Sequence, residues 1–127
     1  MAERQINTEA ANELIFDGPT PCTLKRAAAS NVTVAGGVRQ LVAAVTGKKI
    51  RVVWVIVSAN TSAMNFSLRS ASTDKTGNHQ ILNTDPPQLW PYMPFGYVET
   101  ASGEALNVIA NAGAGSIDIT VGYVEVT

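Results

Sequence analysis

From Val32 to the end of the chain, short runs of β-branched and aromatic residues alternate with clusters of Gly, Asn, Ser and Pro. The clusters recur roughly every 8 to 12 residues, a spacing typical of the strands of a β-sandwich or barrel. We therefore predict an all-β fold, an antiparallel and jelly-roll-like β-sandwich of about eight strands. The predicted strands cover residues 38–45, 50–58, 64–71, 79–82, 88–92, 97–100, 105–110 and 116–126.

The beginning of the chain has a different composition. Residues 1–30 are mainly acidic and polar, contain the turn-prone sequence Asp17-Gly18-Pro19, and show no sustained period of 2 or 3.6 residues. We interpret residues 1–30 as an extended N-terminal arm and residues 31–127 as the β-sandwich domain. A chain of 127 residues is long enough for one core without metals or disulfides.

Alternation along the predicted strands indicates which faces are buried. Met64, Phe66 and Leu68 alternate with polar residues, which predicts one buried and one solvent-exposed face. In strand 50–58 one face is expected to carry Ile50, Val52, Trp54 and Ile56, while Val53, Val55 and Val57 make the other face apolar as well. Such a strand is buried on both faces. We expect either the arm or another subunit to cover its second face.

The segment 83–96 contains four prolines, at positions 86, 87, 91 and 94. Proline has no N–H to donate to a sheet, so this segment is predicted to lie at an edge or to wrap the surface. It also holds a dense apolar cluster: Trp90, Tyr92, Met93 and Phe95. Two interpretations stay open, since these side chains either contact another subunit or fold back as a lid on the core. So much apolar surface predicts a homo-oligomer, with a trimer favoured.

The charge distribution argues against nucleic-acid and membrane partners. Nine basic and ten acidic residues leave a net charge of -1, and the largest basic cluster is Lys48-Lys49-x-Arg51. The longest apolar run, 52–57, is far shorter than the roughly 20 residues of a membrane-spanning helix. The polar N-terminal sequence is unlike a signal peptide, and the single cysteine, Cys22, fits a reducing compartment. We expect a protein made in a cytoplasm.

No pattern of reactive residues predicts an enzyme. His79 is the only histidine and Cys22 the only cysteine, and the acidic residues lack the spacing of a calcium-binding loop. We predict no catalytic, cofactor-binding or metal-binding residues. A Cys–His pair or a carboxylate pair brought together by folding is the enzymatic alternative. Glu99 and Glu104, which flank a predicted hairpin turn, are expected to be solvated, with a cross-subunit salt bridge as the alternative.

Two stretches carry a resemblance to a known class of proteins. Residues 47–52 read Gly-Lys-Lys-Ile-Arg-Val and open a hairpin, and residues 116–126 form a closing strand. Between them lies a characteristic pattern made by Tyr97, Thr100, Gly103, Glu104, Leu106 and Val108. Over residues 47–126 the chain resembles the small β-sandwich proteins of tailed-bacteriophage structural gene clusters, especially head decoration or cement proteins.

This resemblance implies a non-enzymatic virion protein that binds the major capsid protein on the outside of a preformed capsid, often as a trimer at local three-fold sites. The arm is then expected to dock on the capsid, because by itself it buries too little to offset its ordering entropy. The candidate contact residues in the arm are Ile6, Leu14, Ile15 and Phe16.

Three alternatives remain. The arm can instead supply a strand that completes the sandwich of its own subunit. The protein can be a tail, fibre or adaptor module of a virion rather than a head protein. It can also be a carbohydrate-binding sandwich in which Trp54, Trp90 and Tyr92 stack on sugar rings.

Overall fold

The computed structural model describes residues 15–127, and within this range the chain forms strands and no helix. Every paired strand is antiparallel to its neighbour, and the sheets pack on one another, so the predicted antiparallel β-sandwich is confirmed. The strands are β1 (Phe16–Asp17), β2 (Thr20–Pro21), β3 (Lys25–Val32), β4 (Val38–Val42), β5 (Lys49–Asn60), β6 (Met64–Ser70), β7 (Thr73–Asp74), β8 (His79–Ile81), β9 (Gln88–Trp90), β10 (Val98–Glu99), β11 (Leu106–Ala112) and β12 (Ser116–Val126).

Two five-stranded sheets form the sandwich. Sheet I has the order β10-β5-β12-β3, and β9 also pairs with β5. Sheet II has the order β4-β11-β6-β7, and β8 also pairs with β6. The short strands β1 and β2 pair only with each other and form a separate hairpin. Both sheets contain long central strands, which contribute most of the core.

The core lies between the two sheets and follows the alternation of the sequence. Met64, Phe66 and Leu68 of β6 are fully buried, as predicted, and face Ile117 and Val121 of β12 across the interior. Burial of such side chains is the main stabilising contribution to a fold of this kind, about 1.5–3 kcal/mol for each of them.

A β-bulge in β5 changes which of its side chains face the core. Val52 pairs with Tyr123 and Trp54 pairs with Gly122, so Val53 is an extra residue without a partner opposite it in β12. An extra residue reverses the alternation of the side chains that follow it.

The expected face assignment of β5 is therefore wrong beyond the bulge. Ile50 and Val52 face the core before it, whereas Val55 and Val57 face the core after it. Ile56 points to the outside of sheet I and is 43% exposed.

The sandwich also begins earlier in the chain than residue 31. Residues Lys25–Val32 form β3, an edge strand of sheet I that pairs with β12. Ala29 and Val32 of this strand are buried in the main core. The predicted boundary at residue 30 thus falls inside a strand, and the arm of the described chain ends before Lys25.

Thr61, in the loop between β5 and β6, has a left-handed backbone with φ of 70°. This conformation is unfavourable for a β-branched residue, whereas asparagine tolerates it. We expect Thr61→Asn to raise the free energy of unfolding by about 0.5–1 kcal/mol in chemical denaturation. Thr46→Asn, at an exposed threonine whose φ is not positive, is the control and should have no effect. A loss of stability in Thr61→Asn would contradict the expectation.

Candidate interaction surface

The proline-rich segment runs along the free edge of β5 in sheet I. Trp90 in β9 pairs with Val55, the amide of Met93 donates a hydrogen bond to the carbonyl of Val53 at 2.8 Å, and Tyr97 donates to Val52 at 2.8 Å. The segment therefore lies at an edge, as the prolines predict. Between β9 and β10, residues 91–96 form a loop that stands at the border of the sheet.

Trp90 is part of the interior of its own subunit. Its ring lies 5.1 Å from His79, 5.4 Å from Tyr97 and 6.2 Å from the buried Phe66. Ring centroids 4.5–7 Å apart are typical of stabilising aromatic pairs. Trp90 therefore packs as a partly buried lid on the core of its own subunit.

The other three apolar side chains of the loop point to solvent. The exposed fraction is 38% for Tyr92, 42% for Met93 and 90% for Phe95. We call Tyr92, Met93 and Phe95 the loop patch. Phe95 is the most exposed large apolar side chain of the described residues, and such clusters are typical of protein–protein contacts.

Gly96 anchors the end of this loop against β5. Its φ is 82°, a left-handed conformation that favours glycine. A Cβ at this position would overlap the side chain of Arg51, and the Gly96 amide donates a hydrogen bond to the carbonyl of Met93 at 2.9 Å. The loop patch is thus presented on a turn of defined shape.

A second apolar surface lies on the outside of sheet I, next to the loop patch. Ile56 in β5 pairs with Leu89 in β9, and both side chains point outward, with exposed fractions of 43% and 63%. Trp54, two residues before Ile56, is half-buried on the same side. We call Trp54, Ile56 and Leu89 the face patch. The sequence alone does not predict the face patch, because the bulge that turns Ile56 outward is specified only by the pairing with β12.

Gly122 makes room for the indole of Trp54. The two residues are paired across β5 and β12, and three atoms of the indole occupy the space that a Cβ at residue 122 would need. The indole therefore rests on the backbone of Gly122. This packing covers one face of the Trp54 indole.

The arm folds back on the outside of sheet I. Ile15 is buried against Val53, Val124 and Val126, and its carbonyl accepts a hydrogen bond from the Cys22 amide at 2.7 Å. This small cluster covers the second apolar face of β5 and β12. Of the four arm residues predicted to contact a capsid, Ile15 is thus used within its own subunit. Phe16 is 49% exposed, and Ile6 and Leu14 lie outside the described residues.

Asp17 fastens this hairpin to the end of the chain. Its carboxylate accepts hydrogen bonds from the Thr127 hydroxyl at 2.5 Å and the Thr127 amide at 3.0 Å, and lies 3.4 Å from the ammonium of Lys48. The hydrogen bonds from Thr127, and then the interaction with Lys48, hold the pKa of Asp17 below its ordinary value of 3.8. The ionised carboxylate is thus the form that fastens the hairpin.

Because the pKa of Asp17 is lowered by folding, its contribution is present above the ordinary pKa and is lost as pH falls through the lowered pKa. We expect the side-chain carboxyl carbon of Asp17 to titrate in NMR with a midpoint below pH 3.8. In Asp17→Asn this transition should disappear. Asp85→Asn, at an exposed carboxylate, should leave it unchanged. A transition that persists in Asp17→Asn would assign the titration to another group.

An open pocket of about 260 Å³ is lined in part by the hairpin, and Cys22 is among the lining residues. The charged groups that line it are paired: Lys25 with Glu125 at 2.8 Å, and Lys48 with Asp17. Burial, and then the carboxylate of Asp17, raises the pKa of the Cys22 thiol. A thiol with a raised pKa is a weak nucleophile at neutral pH.

The structure does not bring Cys22 and His79 together. Cys22 packs with Ile15 on the outside of sheet I, whereas His79 packs against Phe66 and Trp90 at the edge of the core. Within residues 15–127, no three His, Cys, Asp or Glu side chains are close enough to hold a metal ion.

The two glutamates of the predicted hairpin turn are both engaged, so the expectation that they are solvated is wrong. Glu99 lies 2.9 Å from Arg51 and 3.8 Å from Lys49. Glu104 accepts a hydrogen bond from the buried hydroxyl of Ser70 at 2.5 Å. Glu104 therefore fastens the turn after β10 to sheet II.

Thr100 fastens the same turn to sheet I. Its hydroxyl accepts a hydrogen bond from the Ile50 amide at 2.9 Å and is buried. Thr100 and Glu104 belong to the pattern that carries the resemblance to phage proteins. In this structure their role is to clamp a connection between the two sheets.

Comparison with protein-family models, with curated proteins and with solved structures finds no match for this chain. In the described part of the chain there is no helix that could cross a membrane.

Proposed function

We propose that the protein is a non-enzymatic structural protein of a bacteriophage virion, which binds the outside of the capsid and stabilises it as a decoration or cement protein. The observation that carries this proposal is the loop patch. Phe95, with 90% of its surface exposed, stands with Met93 and Tyr92 at the edge of a closely packed sandwich. A monomer in solution gains nothing from this exposure, whereas an assembling protein uses it in contacts.

The loop patch supports self-association, with a trimer as the proposed assembly. Aromatic residues and methionine are enriched at the centres of protein–protein interfaces. Pro91 and Pro94 within the loop, and the hydrogen bond from the Gly96 amide to the Met93 carbonyl, restrict it to one conformation. A preorganised loop loses little entropy on binding, which favours affinity.

Contact with the major capsid protein is assigned to the exposed side of the hairpin. Phe16 is 49% exposed and is held in place by Ile15 and Asp17, its two neighbours in the chain. It is therefore the described arm residue best placed to reach a partner. The proposed location is the capsid surface, after assembly in the host cytoplasm.

The proposal is tested by mixing the purified protein with undecorated phage heads and counting the bound copies. Saturation at a copy number that matches the local three-fold sites supports it. Labelling of tails or fibres, or binding without saturation, contradicts a head decoration role.

Phe95→Ala is expected to weaken self-association without changing the fold. Sedimentation velocity at micromolar concentration should show a trimer for the unmodified protein and a smaller species for the variant. Loss of one central aromatic side chain typically costs about 2 kcal/mol or more of binding, which is more than tenfold in affinity. Val38→Ala, at an exposed valine of the opposite edge strand β4, is the control and should remain a trimer. A monomeric unmodified protein would contradict the proposed assembly.

A further inference from the structure

The face patch is an apolar surface on the outside of sheet I for which the described residues provide no cover. Leu89, Ile56, Thr120 and Ala28 lie side by side across four neighbouring strands, β9, β5, β12 and β3. None of the four is charged, and Leu89 and Ile56 are 63% and 43% exposed. Such a row of uncharged side chains is suited to packing against another segment of chain.

The path of the hairpin shows which segment is closest to this surface. Asp17 lies at Lys48 and Thr127, and Ile15 lies at Val53 and Val124. The segment from residue 17 back to residue 15 therefore runs alongside β5 in the direction from residue 48 to residue 53. Continued in the same direction, the preceding residues meet Trp54 and then Ile56.

The distances agree with this path. From Val53 to Ile56 the strand advances about 10 Å, at about 3.3 Å per residue. The six residues 9–14 span up to about 20 Å when extended, so they can cover the face patch completely.

The charges agree as well. Arg26 is exposed on the same face, where it pairs in register with Gly122 beside Trp54. It has no ion-pair partner among residues 15–127. Residues 9–14 include Glu9 and Glu13 and no basic residue. A glutamate that precedes Ile15 by two residues would face the row that contains Arg26, since alternate residues of an extended chain share a face.

We propose that residues 9–14 dock along the face patch of their own subunit, with Ala11 near Leu89 and Glu13 near Arg26. The segment is joined directly to Ile15, which is already fixed on this face, so its effective concentration there is high. The inference goes beyond the proposed function and does not depend on it. It gives residues 9–14 a role within the subunit and leaves Phe16 and the loop patch as the surfaces for partners.

Disulfide trapping tests the proposal in a Cys22→Ser background. We expect the pair Ala11→Cys and Leu89→Cys to form a disulfide within one chain, at a rate that does not change on dilution. The control pair is Ala11→Cys and Thr73→Cys, because Thr73 is exposed on β7 at the far side of sheet II. Equal rates for the two pairs would overturn the proposal. Disulfide-linked dimers that disappear on dilution would overturn it too, since they would assign the surface to a second copy.

Thiol labelling gives an independent readout in the same background. A water-soluble maleimide should modify Leu89→Cys several-fold faster after deletion of residues 2–13, and also faster in the full chain carrying Arg26→Glu. Lys75→Glu, a charge reversal at an exposed lysine after β7, should leave the rate unchanged. Equal labelling in the full and the shortened chain would mean that the segment does not cover the patch, and the proposal would fail.

Discussion

Replacing Phe66 with alanine is expected to lower the free energy of unfolding by about 3–5 kcal/mol, a large part of the about 5–15 kcal/mol typical of a domain. Phe66 is fully buried, and its ring lies 5.8 Å from His79 and 6.2 Å from Trp90. Truncation removes these contacts and leaves a cavity at the point where the proline-rich segment closes the core. Urea unfolding followed by circular dichroism measures the loss.

Phe95 provides a matched control, because the same atoms are removed from a side chain that is 90% exposed. At a protein concentration low enough for both chains to be monomeric, Phe95→Ala should change the free energy of unfolding by no more than about 0.5 kcal/mol. If Phe66→Ala fails to fold, Phe66→Leu removes less volume and should give a smaller, measurable loss. Similar losses at positions 66 and 95 would contradict the division of this segment into a core part and a surface part.

The strands that follow a simple alternation could be predicted from the sequence. Met64, Phe66 and Leu68 face the core because a strand places alternate side chains on one face, and the bulge beside them has its extra residue, Asn111, in β11 rather than in β6. The prolines likewise placed segment 83–96 at an edge, since a missing N–H is a local property. In these cases the information lies within a few consecutive residues.

Features that depend on distant pairing could not be predicted in this way. The bulge at Val53 is defined by the pairing of β5 with β12, whose register shifts by one residue between the pairs Val52–Tyr123 and Trp54–Gly122. Nothing near Val53 in the sequence marks it. The same applies to β3. Its small alanine side chains do not mark a core strand in the sequence, although Ala29 and Val32 are buried in the core.

In the candidate interaction surface, too, some features follow from neighbouring residues and others from the pairing of distant strands. The sequence indicated that Trp90, Tyr92, Met93 and Phe95 form one apolar cluster, but it could not separate a lid from an interface. The separation follows from strand pairing, since Trp90 opposite Val55 points inward while Phe95 lies in the loop beyond. Ile15 is expected from the sequence to contact a capsid, and its packing against Val53 and Val124 could not be predicted, because these partners are contributed by distant strands.

Gly122 gives the second large expected effect. A Cβ at this position would overlap the indole of Trp54, which rests on the glycine backbone. Gly122→Ala must therefore displace the indole or the strand, and overpacking of this kind typically lowers the free energy of unfolding by about 1–3 kcal/mol. Because Trp54 also contacts the cluster around Ile15, the hairpin should loosen at the same time. Amide exchange at Cys22, whose N–H is bonded to Ile15, measures that loosening.

A double mutant separates the indole from the backbone as the cause. In a Trp54→Ala background the overlap is gone, and Gly122→Ala should be neutral or stabilise by about 0.5–1 kcal/mol, because alanine restricts the unfolded chain more than glycine does. Gly77→Ala, at a glycine without close neighbours or positive φ, is the control for the intrinsic effect of the substitution. A loss of equal size in both backgrounds would mean that the β12 backbone itself requires glycine. A loss confined to the background that retains Trp54 would show that glycine is needed at position 122 to make room for the indole. The indole in turn forms part of the surface on which the arm lies.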